Sequence, residues 1–170
     1  LKQRLFLILA QISVSEELGI EAVKPLVTDL RALLEKDCIR LVGFSGLDEL
    51  AHLDFSDVEI FDMKMNFAKK SFSFLTKPVY LILGEETIKM KSARLTFNDW
   101  SDYYAIQYFS IDSGKKDIFS SDIFEPLVDL PYFEVFKDKS TVVMEGNGEF
   151  ITDGFVYHFV NPNVSGILEW

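Results

Sequence analysis

The hydrophobic positions of the chain follow two periods, helical at first and strand-like afterwards. Leu1, Leu5, Ile8, Leu9 and Ile12 recur at three- and four-residue steps, which predicts a helix over residues 1–12. Ser13 and Glu16 stand at capping-box spacing and open a short second helix. It ends near Gly19, a residue suited to the left-handed turn past a helix end. Val23, Leu26, Val27, Leu30, Leu33 and Leu34 form the apolar stripe of a third helix reaching Lys36. Pro25 has no N–H to donate, so it is expected in that helix's first turn, where no donor is needed. The run Ile39–Val42 then reads as a strand.

From residue 58 the period becomes two. Val58, Ile60, Met63, Met65 and Phe67 predict a strand with an irregularity near Asp62. Ala68-Lys69-Lys70 reads as a turn, and Phe72 and Phe74 as the next alternation. Pro78 marks a strand boundary or an edge, because it cannot donate to a ladder. Val79–Leu83 is a continuous apolar run and Gly84-Glu85-Glu86-Thr87 a turn. Ile88, Met90, Ala93, Leu95 and Phe97 follow as a mostly alternating stretch. Residues 103–111 form another strand, Ser113-Gly114-Lys115-Lys116 a turn, and 117–134, with Pro126 and Pro131, an irregular acidic stretch. Val142–Met144, Phe150–Ile151 and Phe155–Val160 close the sheet, with Gly146-Asn147-Gly148 and Asp153-Gly154 as turns. Short strands joined by tight turns favour antiparallel pairing.

These elements predict an α+β protein. A helical cap over residues 1–46 precedes a β-rich part over 47–170, a mostly antiparallel, curved sheet folded as a sandwich or half-barrel, and the two form one cooperative unit. The order helix, short helix, longer helix, strand resembles a winged-helix unit. That resemblance implies a three-helix cap and, in its best-known members, DNA binding. The third helix, however, sets Lys24, Arg31 and Lys36 against Glu21, Asp29 and Glu35, a neutral balance that fits phosphate binding poorly.

Composition supports a packed core: 48% of the 170 residues are apolar and 16 are Phe, so a folded chain is expected rather than a disordered one. Lys2 and Arg4 ahead of Leu5-Phe6-Leu7-Ile8-Leu9-Ala10 look like the start of a signal peptide, but no small-residue cleavage site follows and the run is too short to span a bilayer. Cys38 is the only cysteine, so no intrachain disulfide forms, which suits a reducing, cytoplasmic setting. It reads as a small core residue rather than a reactive thiol.

After periodicity, charge is the most informative feature of the chain. The net charge of −10 disfavours direct nucleic-acid binding and favours a basic partner. The excess is not evenly spread. Residues 48–62 hold Asp48, Glu49, Asp54, Asp57, Glu59 and Asp62 and no Lys or Arg, and residues 63–97 hold seven Lys and Arg against two acids. Residues 98–134 return to a net of −6, and there acids interleave with Trp100, Tyr103, Tyr104, Tyr108, Phe119, Phe124 and Tyr132. One reading pairs the acidic and basic segments across neighbouring strands. The other makes the second acidic segment a binding face, with rings for burial and carboxylates for steering. The candidate partner-binding residues are Asp99, Trp100, Asp102, Tyr103, Tyr104, Asp117, Asp122, Glu125 and Asp129.

Catalytic and metal chemistry are not signalled. His52 and His158 stand far apart and in no ligand spacing, and no phosphate-binding glycine loop or nucleophile elbow occurs. No catalytic residue, metal site or cofactor is therefore assigned. An enzyme using paired carboxylates in a barrel mouth remains a third alternative.

Two stretches carry a family resemblance. Ala93-Arg94-Leu95-Thr96-Phe97-Asn98-Asp99-Trp100 is a strand closing on an Asn-x-Trp turn. Val142-Val143-Met144-Glu145-Gly146-Asn147-Gly148, with the returning Gly154-Phe155-Val156-Tyr157-His158-Phe159, gives a strand, a Gly-x-Gly turn and an aromatic strand. Together they resemble bacterial immunity proteins of polymorphic-toxin and contact-dependent growth inhibition systems. The resemblance implies a cytoplasmic protein that binds one cognate protein toxin, a basic nuclease for choice, and occludes its active site, with no membrane and no nucleic acid bound directly. The alternative is a regulatory or scaffold subunit that docks through the helical cap.

Overall fold

The computed structural model describes residues 20–36, 41–56, 58–151 and 153–170. Among them one long helix, α1 (Ile20–Lys36), precedes a short one, α2 (Leu47–Leu50). Thirteen strands make up most of the rest. The α+β reading with a three-helix, winged-helix-like cap is thereby corrected: the described fold is mostly antiparallel β, with two helices. The helices expected over 1–12 and after Ser13, and Cys38, lie outside the described residues. The strand expected at Ile39–Val42 is β1 (Leu41–Ser45). It joins the C-terminal strand β13 (Asn163–Glu169) in antiparallel register, Val42 opposite Leu168, rather than forming a wing beside a helix bundle.

The reason for the departure lies in what α1 buries. Val23, Val27, Leu30 and Leu33 are all buried, the stripe expected of them. That stripe faces a sheet. Its neighbours are Leu83 and Met90, on the small sheet formed by β2 (Leu53–Asp54), β5 (Val79–Leu83) and β6 (Glu86–Met90), with Val42 of β1 alongside. Arg31 fastens the exposed side, its Nη2 3.0 Å from Glu86 Oε2. Pro25 lies past the first turn, inside the helix. Burial of the stripe on both sides of it outweighs the one lost backbone hydrogen bond.

The body is two five-stranded antiparallel sheets. The first runs β1-β13-β7-β4-β3, with β3 at Glu59–Asn66, β4 at Ser71–Lys77 and β7 at Ser92–Asn98. The second runs β10-β11-β12-β8-β9, with β8 at Asp102–Tyr108, β9 at Ile118–Ser120, β10 at Tyr132–Phe136, β11 at Thr141–Asn147 and β12 at Gly154–Val160. Their inner faces meet through rings: Phe72 stacks on Phe159 at 5.0 Å between centroids, and Phe97 meets Phe159 edge-on at 5.2 Å. Phe55 closes the far end against Phe133 at 4.3 Å. Such contacts add about 0.5–1.5 kcal/mol each to the burial of the rings.

The register irregularity expected near Asp62 is a bulge between Phe61 and Lys64. The stretch Ile88–Phe97 divides into β6 and β7, in different sheets. Phe150–Ile151, expected as a strand, is an exposed loop. Gly146 and Asn147, expected in a turn, end β11 opposite Phe155 and Gly154. A Cβ on Gly146 would stand 2.3 Å from the carbonyl oxygen of Asp129, so the glycine serves a crossing chain rather than a bend.

Candidate functional site

Alternation along the second sheet divides its side chains cleanly. Tyr103, Ala105, Val142, Met144, Phe155, Tyr157 and Phe159 enter the core. Their neighbours face the other way, and cross-strand pairing lines them up in rows. Glu134, Val143, His158 and Tyr104 oppose one another in turn across four strands. Tyr132, Glu145, Val156, Ile106 and Phe119 do so across all five. Phe136, Thr141, Val160 and Asp102 form a third row.

The centre of this outer face is an aromatic ladder. His158 and Tyr104 stack at 4.1 Å between centroids and 14° between planes. Tyr104 and Phe119 continue it at 6.1 Å and 19°. Phe119 is 69% exposed, whereas Val143 and Val156 are buried. Burial among these groups holds the His158 imidazole below its ordinary range, because charging it there means losing water. Tyr132 donates its hydroxyl to Glu134, and that hydrogen bond to the carboxylate pushes the phenol up.

Charge on the face has one sign. None of its five strands contains Lys or Arg, while Asp102, Glu134 and Glu145 stand on it. Lysines come near at its margins, with Lys139 Nζ 5.8 Å from the Phe136 ring centre and Lys115 Nζ 5.1 Å from that of Phe109. Among the described residues, the ion pairs lie elsewhere. Lys64 and Arg94 hold Asp62 at 2.5 and 3.1 Å, Lys91 holds Glu169 at 2.6 Å, and Lys137 lies 3.6 Å from Asp48. Lys64 and Arg94 pull the Asp62 carboxyl below its usual range, and Lys91 does the same for Glu169. The basic segment thus meets the first acidic segment and the C-terminal strand, and among the described residues no carboxylate on the strands of the second sheet is in an ion pair.

The nine candidate residues do not gather in one place. Asp102 and Tyr104 stand on the outer face, and the exposed Asp117 and Asp122 flank its edge strand β9. Asp99, exposed with φ of 50°, lies in the β7–β8 turn beside Asn163 Nδ2. Trp100 and Tyr103 are core residues, 3% and 4% exposed, and the Tyr103 hydroxyl donates to the Ile123 carbonyl at 2.6 Å. Burial drives that hydroxyl's pKa far upward. Glu125 is buried too, and Asp129 is half-buried, accepting from Asn147 N and Nδ2 at 2.7 and 2.8 Å. These two brace the segment 121–131 against the sheet.

Sequence reasoning missed His158, Ile106, Val143, Val156, Glu134 and Glu145 as members of the face. Each lies on the same parity as its strand's other outer residues, but the register that gathers them is set by long-range pairing. Among the described residues no group of His, Cys, Asp and Glu could hold a metal ion. No described helix is long and apolar enough to cross a membrane. Matched against protein-family models, curated proteins and solved structures, the chain finds no counterpart in any of the three.

Proposed function

We propose that this protein works by binding a basic protein partner on the outer face of its second sheet. The observation that carries the reading is the combination on one sheet face of an aromatic ladder that ends in the exposed Phe119, carboxylates in no ion pair among the described residues, and strands free of Lys and Arg. Rings supply the burial that holds a complex, and unpaired carboxylates supply steering and register. The chemistry that complements both is a surface of arginine and lysine around apolar groups, since a guanidinium stacks on aromatic rings as well as pairing with carboxylates.

A displayed random-peptide library selected against the full chain tests this directly. Enriched sequences should be rich in Arg and Lys with interspersed apolar residues. They should lose affinity for the triple variant Asp102→Asn, Glu134→Gln, Glu145→Gln. Enrichment of neutral or acidic sequences, or undiminished binding to the triple variant, would refute the reading.

The finer reading is that of an immunity protein. An acidic, ring-bearing face suits occlusion of a nuclease active site, which is basic because it holds phosphates. Its test is genetic. Growth arrested by the product of the adjacent reading frame should be restored by this chain and not by the triple variant. A neighbouring product without toxicity, or toxicity this chain leaves untouched, counts against it.

A further inference from the structure

We propose that Phe150 is a pre-fixed anchor that enters an apolar socket on the same basic partner, and that the buried carboxylate of Glu125 is the positioning residue that fixes it. This rests on the docking reading above and extends it past the end of the sheet.

The β11–β12 loop is held from below. Glu125, 8% exposed, accepts from the backbone N–H of Phe150 at 2.6 Å and of Ile151 at 3.1 Å. Its own backbone is locked to the fully buried Tyr157: the Glu125 N–H donates to Tyr157 Oη at 2.9 Å, and that hydroxyl donates to the Glu125 carbonyl at 2.7 Å. Glu149 N donates to the Pro126 carbonyl at 2.7 Å and Gly148 N to the Asp153 carbonyl at 3.0 Å. Gly148 has room for nothing larger, since a Cβ would stand 2.4 Å from the Ile151 carbonyl oxygen.

The side chains on this mount face outward. Phe150 is 76% exposed and Ile151 45%, and Val128 on the neighbouring segment is 54% exposed. Exposed loop tips are ordinarily polar and mobile. Here a carboxylate is buried, which is costly without charge-assisted hydrogen bonds, and its two bonds go to amides whose side chains do nothing for the core. A large ring on a fixed mount is how interfaces place an anchor, because binding then loses little conformational entropy. Gly154, where the loop re-enters the sheet, opposes Tyr108 of the docking face. Glu149 and Asp153 bracket the tip in sequence, and Asp129 lies beside Asn147 at the start of the loop, so the socket that complements it has a basic rim.

The probe is the set of basic peptides selected from the displayed library, measured one by one by surface plasmon resonance. The surfaces are wild type, Phe150→Ala, Glu125→Gln and the triple variant of the sheet face. Phe150→Ala should weaken binding by about tenfold or more while leaving its salt dependence unchanged, because the lost contact is apolar. Phe150→Leu should restore part of it. Glu125→Gln should weaken binding less, and should speed hydrogen exchange at the Phe150 and Ile151 amides, which Phe150→Ala should not. Wild-type binding by Phe150→Ala, with binding lost in the triple variant, would overturn the anchor and leave the docking face standing. Failure to select basic peptides at all would remove both. Wild-type self-association in sedimentation that vanishes in Phe150→Ala would overturn the proposal by placing the socket on this chain.

Discussion

Gly166 shows how single positions hold the sandwich together. It sits on the inner side of β13, where a Cβ would stand 2.2 Å and 2.4 Å from Phe44 ring atoms and 2.9 Å from Leu95 Cδ2. Gly166→Ala must push a buried ring aside, and overpacking of this kind costs about 1–3 kcal/mol. A lower urea midpoint with an unchanged slope is the expected result. His158 makes a second prediction. Burial depresses its pKa, so below the ordinary imidazole value of about 6.5 the unfolded chain binds more protons than the folded one. Stability from this group is complete above that value and is lost as pH falls through the folded one. The imidazole resonances should titrate below the ordinary range, and His158→Phe should flatten the decline of stability on the acid side.

At the scale of elements, the helix and the outer face make opposite predictions. Leu30 of α1 is 1% exposed, and Leu30→Ala should cost about 2–5 kcal/mol, whereas Arg31→Ala, which breaks an ion pair whose two side chains are 43% and 42% exposed, should cost less than about 1 kcal/mol. Phe119→Ala should leave stability within about 0.5 kcal/mol, since the ring is mostly in solvent. It should nevertheless weaken binding of the selected basic peptides. Much of this level was legible in sequence. The stripe Val23, Val27, Leu30, Leu33 specified a helix, and the odd step between Ile60 and Met63 marked the bulge. The three-residue step from Met90 to Ala93, inside an apparently continuous alternation, is where β6 ends and β7 begins in another sheet. What the stripe packs against was not legible, because a helix burying one face reads alike whether the neighbour is a helix or a sheet. β13 was missed altogether: Val164, Gly166 and Leu168 point inward, but the exposed Ile167 blurs the alternation and Gly166 gives no apolar signal at the position where the Phe44 ring lies over it.

At the scale of the whole molecule, segregation of charge is the main consequence of the topology. The basic segment folds into β3 to β7, in the first sheet and the small sheet, and the second acidic segment into the second sheet. Linear charge blocks hinted at this, but adjacent blocks could equally have paired. The candidate residues were sorted by the same topology. Trp100 and Tyr103 stand beside Asp99, Asp102 and Tyr104 in sequence, and Glu125 between Asp122 and Asp129, yet alternation and loop bracing take Trp100, Tyr103 and Glu125 inside. Glu134, Glu145 and His158, distant in sequence, completed the face through register. An acidic face whose strands hold no Lys or Arg also predicts solution behaviour: attraction to a basic partner acts at long range and is screened over roughly 8–10 Å at moderate ionic strength.

The most direct test is therefore the association rate constant of a selected basic peptide, followed by stopped flow as ionic strength is raised. For the wild-type chain it should fall steeply, and for the variant carrying Asp102→Asn, Glu134→Gln and Glu145→Gln it should be slower at low salt and nearly level. A wild-type rate indifferent to salt, or an equally steep fall in the variant, would contradict a docking role for the outer face of the second sheet.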